Sequence, residues 1–477
     1  MVDAADRGVR PFFLICAFFL VSRLLLLNYN EAEFTDGYAF LDWSWSPQIK
    51  LTDDLPSERL PAYPVLIQLF ALFLDPIFSG RLISAFAGFL CLFPLYALAS
   101  ELYGARAALL ASVLFTVSAQ IVFLTTRVFS EPLFLAFSLA AILHALKLFR
   151  DNNDSSLPWL VLFSGLSVWT RPEGFAFAPL IILGFVLLVR RRRRRSLFRS
   201  LVPLCLWLAF FAWMITRKTP GYGGEMQISL EALTLPKILT YFFTYIEIYP
   251  YVTFYPVFVF AVYHLLRPFA GSQKVWLLLI GYLHLACLAA ISIHWAWSSR
   301  FLVLPMTLIL VEAAAGMERL EHYVSVRISR GLVVATVAGS LMFAAIALHD
   351  QKEVFADIKE TALYIRFHFP DARVFSDEKI KVAYYADCSV NWYRPDYEYS
   401  AGDVITLHSF YTDLGQQLRF LATRYKMQYL FRADSTVVPL MANTIVSGNQ
   451  SNQPGMILQR FQPQRFTSIV LRIASRR

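Results

Sequence analysis

"GFVLLVRRRRRRSLFRSLVPLCLWL", Gly184 to Leu208, sets six consecutive arginines, Arg190 to Arg195, between two apolar runs. Read alone, such a run also suits nucleic acid, and its flanks decide against that. The chain has 477 residues, of which 57% are hydrophobic and 16% charged. Several apolar runs reach the roughly 20 residues with which a helix crosses a hydrocarbon core of about 30 Å. Only helices or closed barrels satisfy the backbone in lipid, and these runs are continuous rather than alternating. The sequence therefore predicts a polytopic α-helical membrane protein. The arginine run then reads as a cytoplasmic loop fixed by the positive-inside rule, and no nucleic-acid partner is expected.

Candidate spans are 11–27, 80–100, 105–123, 131–149, 157–170, 174–190, 200–216, 251–267, 275–293, 299–316 and 331–348, about eleven in all. The first lacks a small-residue cleavage site and reads as a retained span rather than a leader. The segment 61–74 is apolar but short, as re-entrant or interfacial segments are. Parity agrees. With the N-terminus in the cytoplasm and 61–74 not crossing, the six arginines fall inside, as do Arg106, Lys147, Arg150, Arg267, Lys274, Arg319, Arg327 and Arg330. If 61–74 crosses, the run lands outside, against the charge rule.

That topology leaves 28–79, 124–130, 171–173, 217–250, 294–298 and everything after about 349 outside. The domains expected are a membrane domain, 1–348, with 28–79 as its first outer loop, and an extracytoplasmic α/β domain, 349–477. In the latter, "RVFSDEKIKVAYYADCSV" reads as strand, turn and strand. "YTDLGQQLRFLATRYKMQYLF" reads as a helix running into a strand, and "FTSIVLRIAS" as a closing strand. The five cysteines show neither metal nor redox spacing.

The outer loops collect the unusual polar residues, and an ionisable group at or within a membrane marks a functional site by default. In "EAEFTDGY", Glu31 to Tyr38, three acids lie among aromatics. Partial desolvation would make Asp36 a better base; the alternative is a turn at Thr35-Asp36-Gly37. Glu33 and Glu31 could share or replace its role. Arg127 and Glu131 are four apart, so one helical turn would put them on one face, and Pro132 suits a helix start. Arg171 and Glu173, in "WTRPEGF", suit an anion-binding arginine with its own counter-charge, or an interfacial anchor. His294 and Arg300, in "IHWAWSSRF", suit phosphate recognition at headgroup depth, or an ordinary aromatic belt with a snorkelling arginine. Motifs for nucleotide hydrolysis, zinc proteolysis and serine hydrolysis are missing from the sequence.

The blocks "ERLPAYPVLIQLF" (Glu58 to Phe70), "GRLISAFAGFL" onward from Gly80, "TTRVFSEPLF" (Thr125 to Phe134), "GLSVWTRPEGF" (Gly165 to Phe175) and "RFLVLPMTLIL" (Arg300 to Leu310) occur in this order. Together, over roughly residues 10–320, they resemble the GT-C membrane glycosyltransferases, the group of protein O-mannosyltransferases and lipid A aminoarabinose transferases. The resemblance implies a polyprenyl-phosphate-linked sugar as donor and a lipid, glycan or protein acceptor. It also implies work on the outer face of a bacterial inner (plasma) membrane, with inversion at the anomeric carbon. It implies a catalytic acid in the first outer loop, here Asp36, then Glu33, then Glu31. It sets Glu131 in the catalytic cavity and Arg300 on the donor phosphate, with Arg171, Arg127 or His294. Tyr38, Arg59, Tyr63 and Glu173 would belong to the substrate loop and its surroundings. Ala62 stands where relatives often carry a second proline. Metal use varies in the group, so a divalent cation is compatible with the resemblance and no cofactor is required by it. The rival readings are a ligase or polymerase of lipid-linked polysaccharide, with arginine and histidine chemistry, and a lipid or solute transporter.

Overall fold

A computed structural model describes residues 2–30, 33, 37–38, 40–41, 60–216, 235–266, 299–352, 355–376, 382, 385–386, 388, 390–394, 397–408, 414–437 and 464–476. They fall into two compact units. A helical unit takes the described parts of 1–27 and 43–348. A second unit takes those of 28–42, 349–442 and 456–477. The span expected at 275–293 lies outside the described residues.

The helical unit runs through α1 (Val2–Leu26), α2 (Ala62–Ala71), α3 (Pro76–Tyr103), α4 (Ala105–Val117), α5 (Ala119–Thr125) and α6 (Glu131–Phe149). It continues with α7 (Leu157–Thr170), α8 (Ala178–Arg190), α9 (Arg194–Thr216), α10 (Leu235–Thr253), α11 (Tyr255–Leu265), α12 (Val303–Leu320) and α13 (Val326–Gln351). Among the described residues, five helices are long and apolar enough to cross a membrane, or six if the bent pair α4–α5 is one span. With 10 residues, α2 is about 15 Å long, half the hydrocarbon thickness.

Local chemistry sets the ends of α3. The Asp75 carboxylate accepts from the N–H of Phe78 at 2.9 Å and Pro76 opens the first turn, an N-cap followed by a preset φ. Gly104, at φ 93°, ends it. Pro132 sits in the first turn of α6, as the sequence predicts. Two readings need correction. The stretch 105–123 is not one straight span: the chain bends by 61° between α4 and α5, where Ser118 is extended (ψ 125°). The region 217–250, expected to be an outer loop, contains α10, and a break at Phe254 (φ 70°) separates it from α11. Aromatic and polar residues interrupt the apolar run of α10, which hid it from a hydropathy reading.

Close packing fixes the bend. A Cβ on Gly88 of α3 would lie 2.4 Å from Thr125 Cγ2 and 2.9 Å from Phe19 Cζ. Gly88→Ala is thus expected to destabilise the protein by about 1–3 kcal/mol, read as a lower thermal unfolding midpoint in detergent.

The second unit holds a five-stranded sheet of β1 (Val374–Ser376), β2 (Val390–Trp392), β3 (Val404–His408), β4 (Tyr425–Val437) and β5 (Gln464–Arg476), in the order β2-β1-β3-β5-β4. The helix leading into β4 and the closing strand match the sequence reading. The strand–turn–strand reading does not, because β1 and β2 pair in parallel and parallel neighbours need a crossover. Tyr385 and Ala386, within that crossover, are helical. Phe375, Ile405, Leu407, Leu421, Ile469 and Leu471 form the core. Helix α14 (Ala356–His368) brings Asp357, whose Oδ2 accepts from Ser468 Oγ at 2.8 Å and lies 2.7 Å from His408 Nε2.

Candidate active site

The site begins at the bend. In an unbroken helix Thr116 O would accept from the N–H of residue 120. Here Arg23 of α1 donates to it through Nη2 at 2.6 Å. The same guanidinium donates through Nε to Thr125 Oγ1 at 2.9 Å and through Nη1 to Ser22 Oγ at 3.0 Å, and lies 4.4 Å from the Phe19 ring centre. Arg23 thus ties the last turn of α4 to the end of α5, across the bend, and α5 leads directly into the non-helical stretch 126–130.

That stretch is also held from α3. Ser84 Oγ lies 2.9 Å from Phe129 O and 3.3 Å from Phe129 N. Tyr63 of α2 donates to Gly80 O at 2.8 Å and contacts Ser84 Oγ at 2.6 Å. Tyr63 is fully buried, with its hydroxyl committed to α3. Arg127 is buried in this stretch, its guanidinium 5.4 Å from the Phe123 ring centre. Because 126–130 is not helical, Arg127 and Glu131 do not share the helical turn that their spacing suggested.

Glu131, the first residue of α6, is 1% exposed. Its Oε1 lies 2.8 Å from Arg171 Nη1 and 3.3 Å from Arg300 Nε. Both are ion-pair distances, without the alignment of a hydrogen bond. Arg171 comes from the link between α7 and the 3₁₀ turn Pro172–Phe177. It donates through Nη2 to Glu173 Oε1 at 2.8 Å, and through Nε to the same carboxylate at 3.1 Å. Arg300 comes from the 3₁₀ turn Ser299–Leu302, just before α12. The Phe301 ring touches both cations, 5.0 Å from the Arg171 guanidinium and 5.1 Å from that of Arg300, and Phe129 flanks Arg300 at 5.4 Å. Aromatic faces stabilise cations and displace water from them. With the groups ionised, Arg171 and Arg300 balance Glu131 and Glu173, and the buried Arg127, on the adjoining stretch 126–130, adds one positive charge. A desolvated, slightly positive cluster of this kind suits an anion that gains charge.

Residues suggested separately by the sequence thus come together: Glu131, Arg171, Glu173 and Arg300. Asp36, Glu31, Arg59 and His294 lie outside the described residues. Glu33 and Tyr38 are buried in the second unit. Among the described residues no group of three His, Cys, Asp or Glu side chains could hold a metal ion. The sequence reading missed Arg23 and Ser84. A lone arginine inside the first apolar run was the available signal for Arg23; nothing marked Ser84.

The comparisons with known proteins agree with this architecture. Residues 57–216 match the family described as dolichyl-phosphate-mannose-protein mannosyltransferase, a stretch that contains Arg127, Glu131, Arg171 and Glu173. A search of curated proteins gives no match. Among solved structures, ArnT from Cupriavidus metallidurans in the apo state is similar, at TM-score 0.65 and 12% identity over 98% of each chain. ArnT bound to undecaprenyl phosphate gives TM-score 0.63 and 13% identity, over 88% of this chain and 96% of that one. An oligosaccharyltransferase from Archaeoglobus fulgidus, in complex with Zn and sulfate, gives TM-score 0.50 and 11% identity, over 88% of this chain and 71% of that one. The chain is an integral membrane protein with the GT-C glycosyltransferase fold.

Proposed function

We propose that this protein transfers a sugar from a polyprenyl-phosphate donor to an acceptor hydroxyl on the outer face of the membrane, with the N-terminus in the cytoplasm. The observation that carries the reading is the buried Glu131 bridging Arg171 and Arg300, together with the likeness to a solved structure that is bound to undecaprenyl phosphate. In the reaction a first-loop carboxylate, Asp36 by preference and Glu33 or Glu31 otherwise, takes the acceptor proton. The acceptor oxygen attacks the anomeric carbon, the bond from that carbon to the phosphate oxygen breaks, and its electron pair leaves with polyprenyl phosphate. A single displacement inverts the anomeric centre. The phosphate passes from a diester monoanion to a monoester and gains negative charge as the bond breaks. Arg300 and Arg171, with Arg127, would stabilise that charge, and Glu131 would offset the repulsion between the two arginines and keep them together and aimed.

The test is donor consumption by purified protein in nanodiscs, over a panel of polyprenyl-phosphate sugars, with wild type against Asp36→Asn. Turnover in wild type that falls by at least 10²-fold in the variant, as expected on losing a general base, with donor binding intact, supports the assignment. Turnover that survives in Asp36→Asn moves the base to Glu33 or Glu31, or favours the polysaccharide ligase or polymerase, in which arginines carry the chemistry.

A further inference from the structure

The stretch 28–42 groups with the second unit rather than with the helices it connects. Two contacts show how. Lys352 Nζ lies 5.9 Å above the ring of Tyr29. The hydroxyl of Tyr38 lies 2.5 Å from the hydroxyl of Tyr385, with the rings 5.6 Å apart at 69°. Lys359 Nζ sits 5.8 Å over the Tyr385 ring. The Tyr38 hydroxyl also accepts the backbone N–H of Glu33 at 2.9 Å. Glu33 and Tyr38 are both fully buried.

From this geometry we infer that the second unit positions the acid-bearing first loop, with Tyr385 as the positioning residue, Tyr38 as the intermediary and the Glu33 backbone as the group held. The inference rests on the proposed transferase reading and gives the second unit a task within it. A base must sit within hydrogen-bond reach of the proton it takes, and displacement of about 1 Å is enough to cost a large factor in rate. The tie joins residues 33 and 38, which stand on either side of Asp36 in the sequence. Burial first, and Tyr385 second, push the Tyr38 hydroxyl well above its ordinary pKa. The Tyr38 hydroxyl therefore stays protonated at the pH at which a carboxylate base works.

The experiment uses the full chain in nanodiscs, with Tyr385→Phe, Tyr38→Phe and the double variant, each of which keeps the ring and removes a hydroxyl. Hydrogen–deuterium exchange reads the tie without reference to activity. Exchange in peptides covering 28–42 should accelerate roughly tenfold in Tyr385→Phe, the scale of one hydrogen bond, while α14 stays protected. Unchanged exchange in 28–42 overturns the inference. In turnover, Tyr385→Phe should lower kcat by roughly tenfold with donor KM unchanged, and the double variant should be no worse than the single ones, as for groups acting through one bond. A faster-exchanging loop with wild-type kcat, or two losses that simply add, also overturns it. Wild type that turns over no donor would sink the transferase reading instead, with the exchange result still deciding the tie.

Discussion

Arg300→Gln is expected to lower the transfer rate by roughly 10²–10³-fold, the usual cost of removing one preorganised group from a developing oxyanion. Arg300 sits where water is scarce: its side chain is 12% exposed, and Phe129 and Phe301 flank its guanidinium. In such surroundings a charge acts with little screening. In the proposed transfer the phosphate gains charge only as the sugar bond breaks, so the loss would fall mainly on kcat. If Arg300 bound donor and transition state equally, KM would rise and kcat would hold. Arg300→Lys should fall between wild type and the glutamine variant, because lysine keeps the charge and loses the planar fork. Single-turnover rates with saturating donor make the measurement, and a rate within threefold of wild type would remove Arg300 from the reaction.

Glu131→Gln is expected to cost about 3 kcal/mol of stability, near the lower end for breaking a buried ion pair. The lower end applies because Arg171 keeps Glu173, so the charge left with less compensation is that of Arg300. The substitution keeps the shape and raises the charge of the group Glu131, Arg171, Glu173 and Arg300 from 0 to +1. Affinity for a phosphate should therefore rise as stability falls. Thermal unfolding with and without polyprenyl phosphate reads both signs. The variant should melt lower alone and be stabilised more by the lipid than wild type is, since binding to the folded state adds stability according to its affinity. A variant that melts lower and gains no more from the lipid than wild type would place the phosphate elsewhere.

Local chemistry was legible in the sequence and distant partners were not. Pro132 marks the start of α6; Asp75, Pro76 and Gly104 bound α3 at 76–103 by local chemistry, where the hydropathy reading gives 80–100. The bend at Ser118 carries no proline or glycine. It is held by Arg23, which reaches Thr116 from 93 residues away. The parallel pairing of β1 and β2 likewise depends on a crossover that no periodicity reveals. In the site, Arg171 beside Glu173 could be read from adjacency. The bridge from Glu131 to Arg171 and Arg300 could not, since it joins three separate parts of the chain.

The sequence collects its unusual polar residues in the outer loops. Glu312 qualifies that. It lies about 14 Å along α12 from Val303, buried, with its carboxylate 2.6 Å from both the Tyr103 hydroxyl and His264 Nδ1. The three groups tie α3, α11 and α12 together. A buried cluster of this sort is found in proton pathways as well as in static helix junctions, so flux assays belong beside the transfer assays.

Arg23 also bears on how the protein is made. Synthesis delivers α1 to the membrane long before Thr116 and Thr125, the acceptors of its guanidinium, have emerged from the ribosome. Until then the arginine, near the end of its helix, reaches back to the headgroups. Arrival of α4 and α5 draws it inward beneath Phe19. A helix made early therefore takes its mature seating only after later segments have followed.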